Sequence, residues 1–162
     1  MTENNRNQIT ILGIGNTLYT DEGLGVNALT PLEEIFGRDE HVELIDGSTD
    51  GMGLLGPVED TDYLIIIDAI NAGKEGGHII ELHGDDIPAY YGIKMSIHQL
   101  GFQEVLLASK LREQYPKNIV MIGMQPTSLE LGIGLSETND AKLPELVKLV
   151  EEQVDKWKLE MA

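Results

Sequence analysis

Cysteine is absent from this 162-residue chain, which excludes disulfides, thiolate-held metals and a cysteine nucleophile together. Basic residues are scarce: 11 Lys and Arg stand against 28 Asp and Glu, a formal net charge of −17. Without clustered cations, neither nucleic-acid phosphates nor an anionic membrane surface is neutralised. Two readings of the acidity stay open, a polypeptide partner with a basic surface or plain solubility. Long apolar runs are missing as well. The longest, Leu64 to Ile67, falls far short of a membrane span, and the opening MTENNRNQIT has neither the basic nor the apolar region of a signal peptide. A cytoplasmic protein without membrane insertion is the expectation. There is no G-x-S-x-G elbow and no G-x-x-x-x-G-K-[ST] phosphate loop. Ser48, Ser96, Ser128 and Ser136 read as turn or cap residues.

What is present suffices for one domain. With 41% hydrophobic residues, residues 1–162 bury a single core; residues 1–7 are polar and expected to be loose. Gln8 to Ile14 reads as a buried strand closed by the glycines of GIGN. From Gly23, the positions Leu24, Ala28, Leu32, Ile35 and Phe36 recur at helical spacing, and Pro31 is expected to break or kink that helix. Val42 to Ile45 reads as a second strand, followed by a glycine-rich stretch with a short helix. Tyr63 to Ile67 is apolar throughout, the pattern of a central strand covered on both faces. His78 to His83 follows a short turn, which predicts a hairpin pairing antiparallel to its predecessor. Ser96 can cap a helix to about Tyr115 with Ile97, Leu100, Val105, Leu107 and Leu111 on its apolar face. Asn118 to Met124 is a last strand, and Ala141 to about Lys158 a last helix with Val147, Val150, Val154 and Trp157 inward.

Strands alternating with helices predict an α/β fold: a three-layer α/β/α sandwich on a mostly parallel twisted sheet of about five strands, with one antiparallel edge strand. The functional crevice of such a sheet lies beyond the carboxyl ends of its strands. Glu22, Asp46 and Asp68 fall there. A dinucleotide reading of Gly13-x-Gly15 fails at its third glycine, which is Leu18; the alternative is a sharp turn tied by Asn16. Asp68, ending an apolar strand, either caps a helix, pairs with a base or binds a metal. With His98 it and Glu22 make an O, O, N donor set suited to a borderline divalent ion such as nickel or zinc. Asp46 and Asp68 are the only well-placed aspartate pair for an acid dyad, but neither stands in a D-T-G or D-S-G motif.

Taken together, GIGNTLYTDEGLGV, IDGSTDGMGLLG, LIIIDAINAG, SIHQLGF and IGMQPTSLELGIGLS, in this order, resemble the hydrogenase maturation endopeptidases that process the large subunit of nickel-iron hydrogenases. The resemblance implies a protease that removes a C-terminal extension from the nickel-loaded large-subunit precursor. It implies nickel ligation by Glu22, Asp68 and His98, the ion being supplied by the substrate and zinc or cadmium substituting in vitro. Asp46 is carried over as a residue near the cleavage site, so that Asp46 and Asp68 are the candidates for catalysis. Ser48 stands where relatives have glycine. A monomer is expected, and a non-catalytic metal-reading adaptor is the alternative.

Overall fold

Five strands join in the order β2-β1-β3-β5-β4 in the computed structural model, which describes residues 8–93 and 97–161; of residues 92, 93 and 97–101 it describes the backbone alone. The expectations for residues 1–7 and for Ser96 as a cap lie outside the described residues. The strands are β1 Ile9–Ile14, β2 Val42–Ser48, β3 Tyr63–Ala69, β4 Ile79–His83 and β5 Asn118–Met124. The helices are α1 Leu24–Phe36, α2 Leu55–Glu59, α3 Asp86–Ile93, α4 Ile97–Leu111 and α5 Glu137–Met161. β1, β2, β3 and β5 run parallel, and β4 is the antiparallel edge.

Alternation along the strands splits the core into two layers. Ile9, Ile11, Tyr63, Ile65, Ile67, Val120 and Ile122 face α1 and α5, where they meet Leu24, Leu32, Val150, Val154 and Trp157. Leu12, Leu64, Ile66 and Met121 face the other way, onto Val58 of α2, Ile87 and Tyr91 of α3 and Phe102, Val105 and Leu106 of α4. Both faces of β3 are therefore covered, and its unbroken apolar run follows from that position.

Three expectations are corrected. β4 does not form a hairpin with β3. It pairs with β5, Ile79 opposite Met124 and His83 opposite Val120, because the second edge of β3 is taken by β5 through a parallel crossover. Pro31 lies inside α1 and does not break it, although its missing N–H removes one helical hydrogen bond. On α4 the inward residues are Phe102, Val105 and Leu106, while Leu107 and Leu111 are exposed. The short helix α3 was not anticipated, since Pro88 and Gly92 mask its pattern.

Candidate functional site

The carboxyl ends of β1 and β3 are approached closely by the turn before α1 and by the first turn of α1 itself, and glycines make this possible. A Cβ on Gly25 would stand 2.2 Å from the Ile67 carbonyl oxygen and 2.4 Å from both N and O of Ile14. One on Gly15, whose φ is +137°, would stand 2.0 Å from the carbonyl oxygen of Glu22. The turn is tied by Asn16, whose Oδ1 accepts from the Leu18 N–H at 3.0 Å. The Gly13-x-Gly15 pair thus serves a tight turn and backbone packing, and it sets the 3-10 turn Thr20–Gly23 against the sheet rim.

That turn delivers two adjacent acids to different tasks. Glu22 is 8% exposed and Asp68 0%, and Asp68 engages a buried hydroxyl directly. The hydroxyl belongs to Tyr91 and donates to Asp68 Oδ2 at 3.0 Å. Burial pushes the Tyr91 phenol well above its ordinary range, and the negative charge of Asp68, their hydrogen bond, Tyr90 and Glu22 push it further. It therefore stays protonated and is held as a donor. Asp68 Oδ1 accepts from the Ala69 N–H at 2.8 Å, which leaves the carboxylate fixed at the end of β3.

Asp21, also 0% exposed, turns the other way. Its carboxylate accepts from the N–H of Thr127, Ser128 and Ser136 and from the Ser136 hydroxyl, at 2.8–2.9 Å. The loop between β5 and α5 is thereby clamped to the chain that carries Glu22. Further bonds join the same segments: Thr20 N–H to the Gly132 carbonyl at 2.9 Å, Gly132 N–H to the Leu18 carbonyl at 2.8 Å, and the Thr20 hydroxyl to the Glu130 carbonyl.

Asp46 is placed apart. Its in-register partner on β1 is Gly13, which also pairs with Ile67, so Asp46 points to the α1/α5 side. Asp68, one residue past Ile67, points to the α3/α4 side. Two strand spacings separate them, about 10 Å, and the register does not bring them together as a dyad. Asp46 is exposed, and its Oδ1 accepts from the N–H of Ser48 at 3.0 Å and its hydroxyl at 2.7 Å. That bond holds Ser48 at a φ of +43°, a conformation costly for a residue with a Cβ. His98 lies in the first turn of α4; its side chain is outside the described residues.

Glu22 and Asp68 supply anionic oxygen donors, a chemistry that accepts a divalent cation. Among the described residues, no group of three His, Cys, Asp or Glu could hold a metal ion. His83 is engaged with Glu81 at 3.1 Å on the exposed edge strand. Reasoning from the sequence missed both Asp21 and Tyr91. The adjacent acids of TDEG carried a signal for the first; the second reads as one more apolar position in a helix.

Comparison with known proteins brings this geometry together with a family. Residues 26–153 match the family model described as hydrogenase maturation protease. The chain is 42% identical over 130 residues to the hydrogenase expression/formation protein HupD of Bradyrhizobium diazoefficiens, covering 80% of this chain and 68% of that protein. It is 41% identical over 137 residues to the hydrogenase 2 maturation protease of Escherichia coli, covering 84% of each. Among solved structures, the hydrogenase maturating endopeptidase HybD from E. coli superposes with a TM-score of 0.86 at 37% identity, covering 92% of this chain and 93% of that one.

Proposed function

The chain belongs to the hydrogenase maturation protease family, and from that membership we propose that it removes a C-terminal extension from the nickel-loaded precursor of a nickel-iron hydrogenase large subunit. The observation that carries the reading is the buried Asp68 carboxylate, fixed at the end of β3 by the Tyr91 hydroxyl, with the nearly buried Glu22 on the turn packed at the same sheet rim, where such folds place their sites. In this reading the two carboxylates, joined by His98, engage nickel that the precursor brings. An ion already held by the substrate but open to further ligands makes docking depend on metal loading. Asp68 is sealed from solvent, so its engagement requires local rearrangement at the rim.

Recognition and hydrolysis divide between the two aspartates. Asp46 is exposed with Oδ1 held by Ser48, which leaves Oδ2 to take a proton from the attacking water and return it to the departing amine. Asp68, buried and hydrogen-bonded on both oxygens, serves the ion. The reading also carries a cytoplasmic location for the reaction.

Matched samples of nickel-loaded and nickel-free precursor test it, with the mass of the precursor's C-terminus as readout. Truncation of the loaded form alone is expected. Equal truncation of both contradicts metal reading, and tight binding with an intact C-terminus marks a non-catalytic adaptor instead.

A further inference from the structure

Five large apolar side chains stand in solvent beside the Glu22 turn. Leu18 is 53% exposed, Tyr19 43%, Leu129 52%, Leu131 77% and Ile133 79%. Leu18, Leu131 and Ile133 share one face, because residues 18–20 and 130–132 are stitched together: Tyr19 and Gly132 form a parallel β-bridge, the Gly132 N–H donates to the Leu18 carbonyl, and the Thr20 N–H donates to the Gly132 carbonyl, so the residues on either side of the bridged pair turn to the same side. Leu131 and Ile133 flank that bridge on one segment, and Leu18 adjoins it on the other. The Asp21 carboxylate fixes both segments from beneath. A flexible loop would bury such side chains against its own body; this one is held so that it cannot.

Contiguous apolar patches on a monomer seldom exceed about 300–600 Å² and mark functional surfaces when they approach that size. Leu131 and Ile133, each more than three-quarters exposed, with the half-exposed Leu18 beside them, form an apolar face of that kind. Glu130 and Glu137 stand exposed at the same loop, in a chain of net charge −17. The complementary surface is therefore apolar at its centre with Lys or Arg at its rim. The Glu22 N–H donates to the Tyr19 carbonyl at 3.0 Å, so the patch adjoins the turn that carries Glu22.

We propose that the bridged surface of Leu18, Leu131 and Ile133 is the docking face for the body of the precursor protein, which covers it with an apolar, basic-rimmed surface while its metal meets Glu22. This rests on the reading that the precursor is the partner. Docking here orients the metal-bearing end by rigid contact outside the reacting groups, and the preformed loops save the ordering cost of association.

The test measures binding of the full chain to nickel-loaded precursor by calorimetry, for wild type, for Leu131→Asp with Ile133→Asp, and for Leu159→Asp. Leu159 is as exposed but lies 22 residues beyond Glu137 on α5, about 33 Å along the helix. The double variant is expected to raise Kd at least tenfold with an unchanged unfolding midpoint, and Leu159→Asp to leave Kd as in wild type. Salt should weaken wild-type binding, and Glu130→Lys should weaken it further. Equal Kd for wild type and the double variant overturns the docking face. So does equal weakening by Leu159→Asp, or a wild-type self-association that the double variant abolishes while precursor binding persists. Because binding is read without cleavage, failure of the protease reading shows separately, as wild type that binds precursor and leaves its C-terminus intact.

Discussion

The Tyr91 hydroxyl donates a 3.0 Å hydrogen bond to Asp68 Oδ2, so the carboxylate that ends the central strand is oriented by a side chain from a helix on the far side of a loop and an edge strand. Tyr91→Phe keeps the ring contacts, including the edge packing on Phe102 at 5.2 Å, and removes only the donor. Stability should fall by about 1–3 kcal/mol, the worth of a hydrogen bond to a charged buried acceptor, measured as a shift in the urea midpoint. An unchanged midpoint would mean that the bond does not hold Asp68.

Asp21 is the residue on which the rim's order depends. Asp21→Ala strands three backbone N–H donors and should cost about 3 kcal/mol or more. Asp21→Asn retains one carbonyl oxygen and should cost less. Hydrogen exchange at Thr127, Ser128 and Ser136 is the direct readout: these amides should lose protection in Asp21→Ala before the sheet does. Protection equal to wild type at all three would contradict the clamp.

Two glycines give opposite outcomes for the same substitution. Gly25→Ala drives a methyl into the Ile67 carbonyl and the Ile14 backbone, where nothing flexible can yield, and should destabilise by about 3 kcal/mol or more. Gly56→Ala meets nothing within 4 Å inside a helix, and should be neutral or stabilise by up to about 1 kcal/mol. Thermal unfolding of the pair decides whether the close approach at Gly25 is as tight as described.

Lys158 at the end of α5 pairs with Asp39 in the turn after α1. Burial alone would raise the Asp39 carboxyl, but the Lys158 hydrogen bond and the His41 N–H outweigh it and hold the group below its ordinary value. A depressed folded-state value contributes stability above the unfolded value, and that contribution is lost as pH falls through the folded one. Wild type should exceed Asp39→Asn by up to about 1 kcal/mol at pH 7, and the gap should close as the solution is taken below about pH 4. A gap independent of pH would assign the effect to packing.

Much of the architecture was legible because periodicity reports burial. Asn118–Met124 emerges with the boundaries read from its apolar run, and the α5 residues Val147, Val150, Val154 and Trp157 are all buried. The partner of β4 was not legible, because a short connection constrains only the next strand in sequence and says nothing of β5, which arrives later to occupy the edge of β3. Leu107 and Leu111 fit an apolar helical stripe yet face solvent, since spacing alone does not say which of two stripes meets the sheet. Strand ends and motif order were enough to place Glu22 and Asp68 at the sheet rim. Asp21, one position away, was passed over because adjacent residues in a tight turn point to different neighbours, and those neighbours are more than a hundred residues distant.

The central claim is that the Glu22 and Asp68 carboxylates meet nickel carried by the substrate. The X-ray absorption spectrum of nickel in the loaded precursor, frozen alone and frozen after mixing with stoichiometric protease, tests it most directly. Added oxygen neighbours at about 2 Å on mixing, absent with the Glu22→Gln, Asp68→Asn double variant, are the predicted result. Identical nickel spectra before and after mixing, in samples where the precursor is bound and cut, would contradict it.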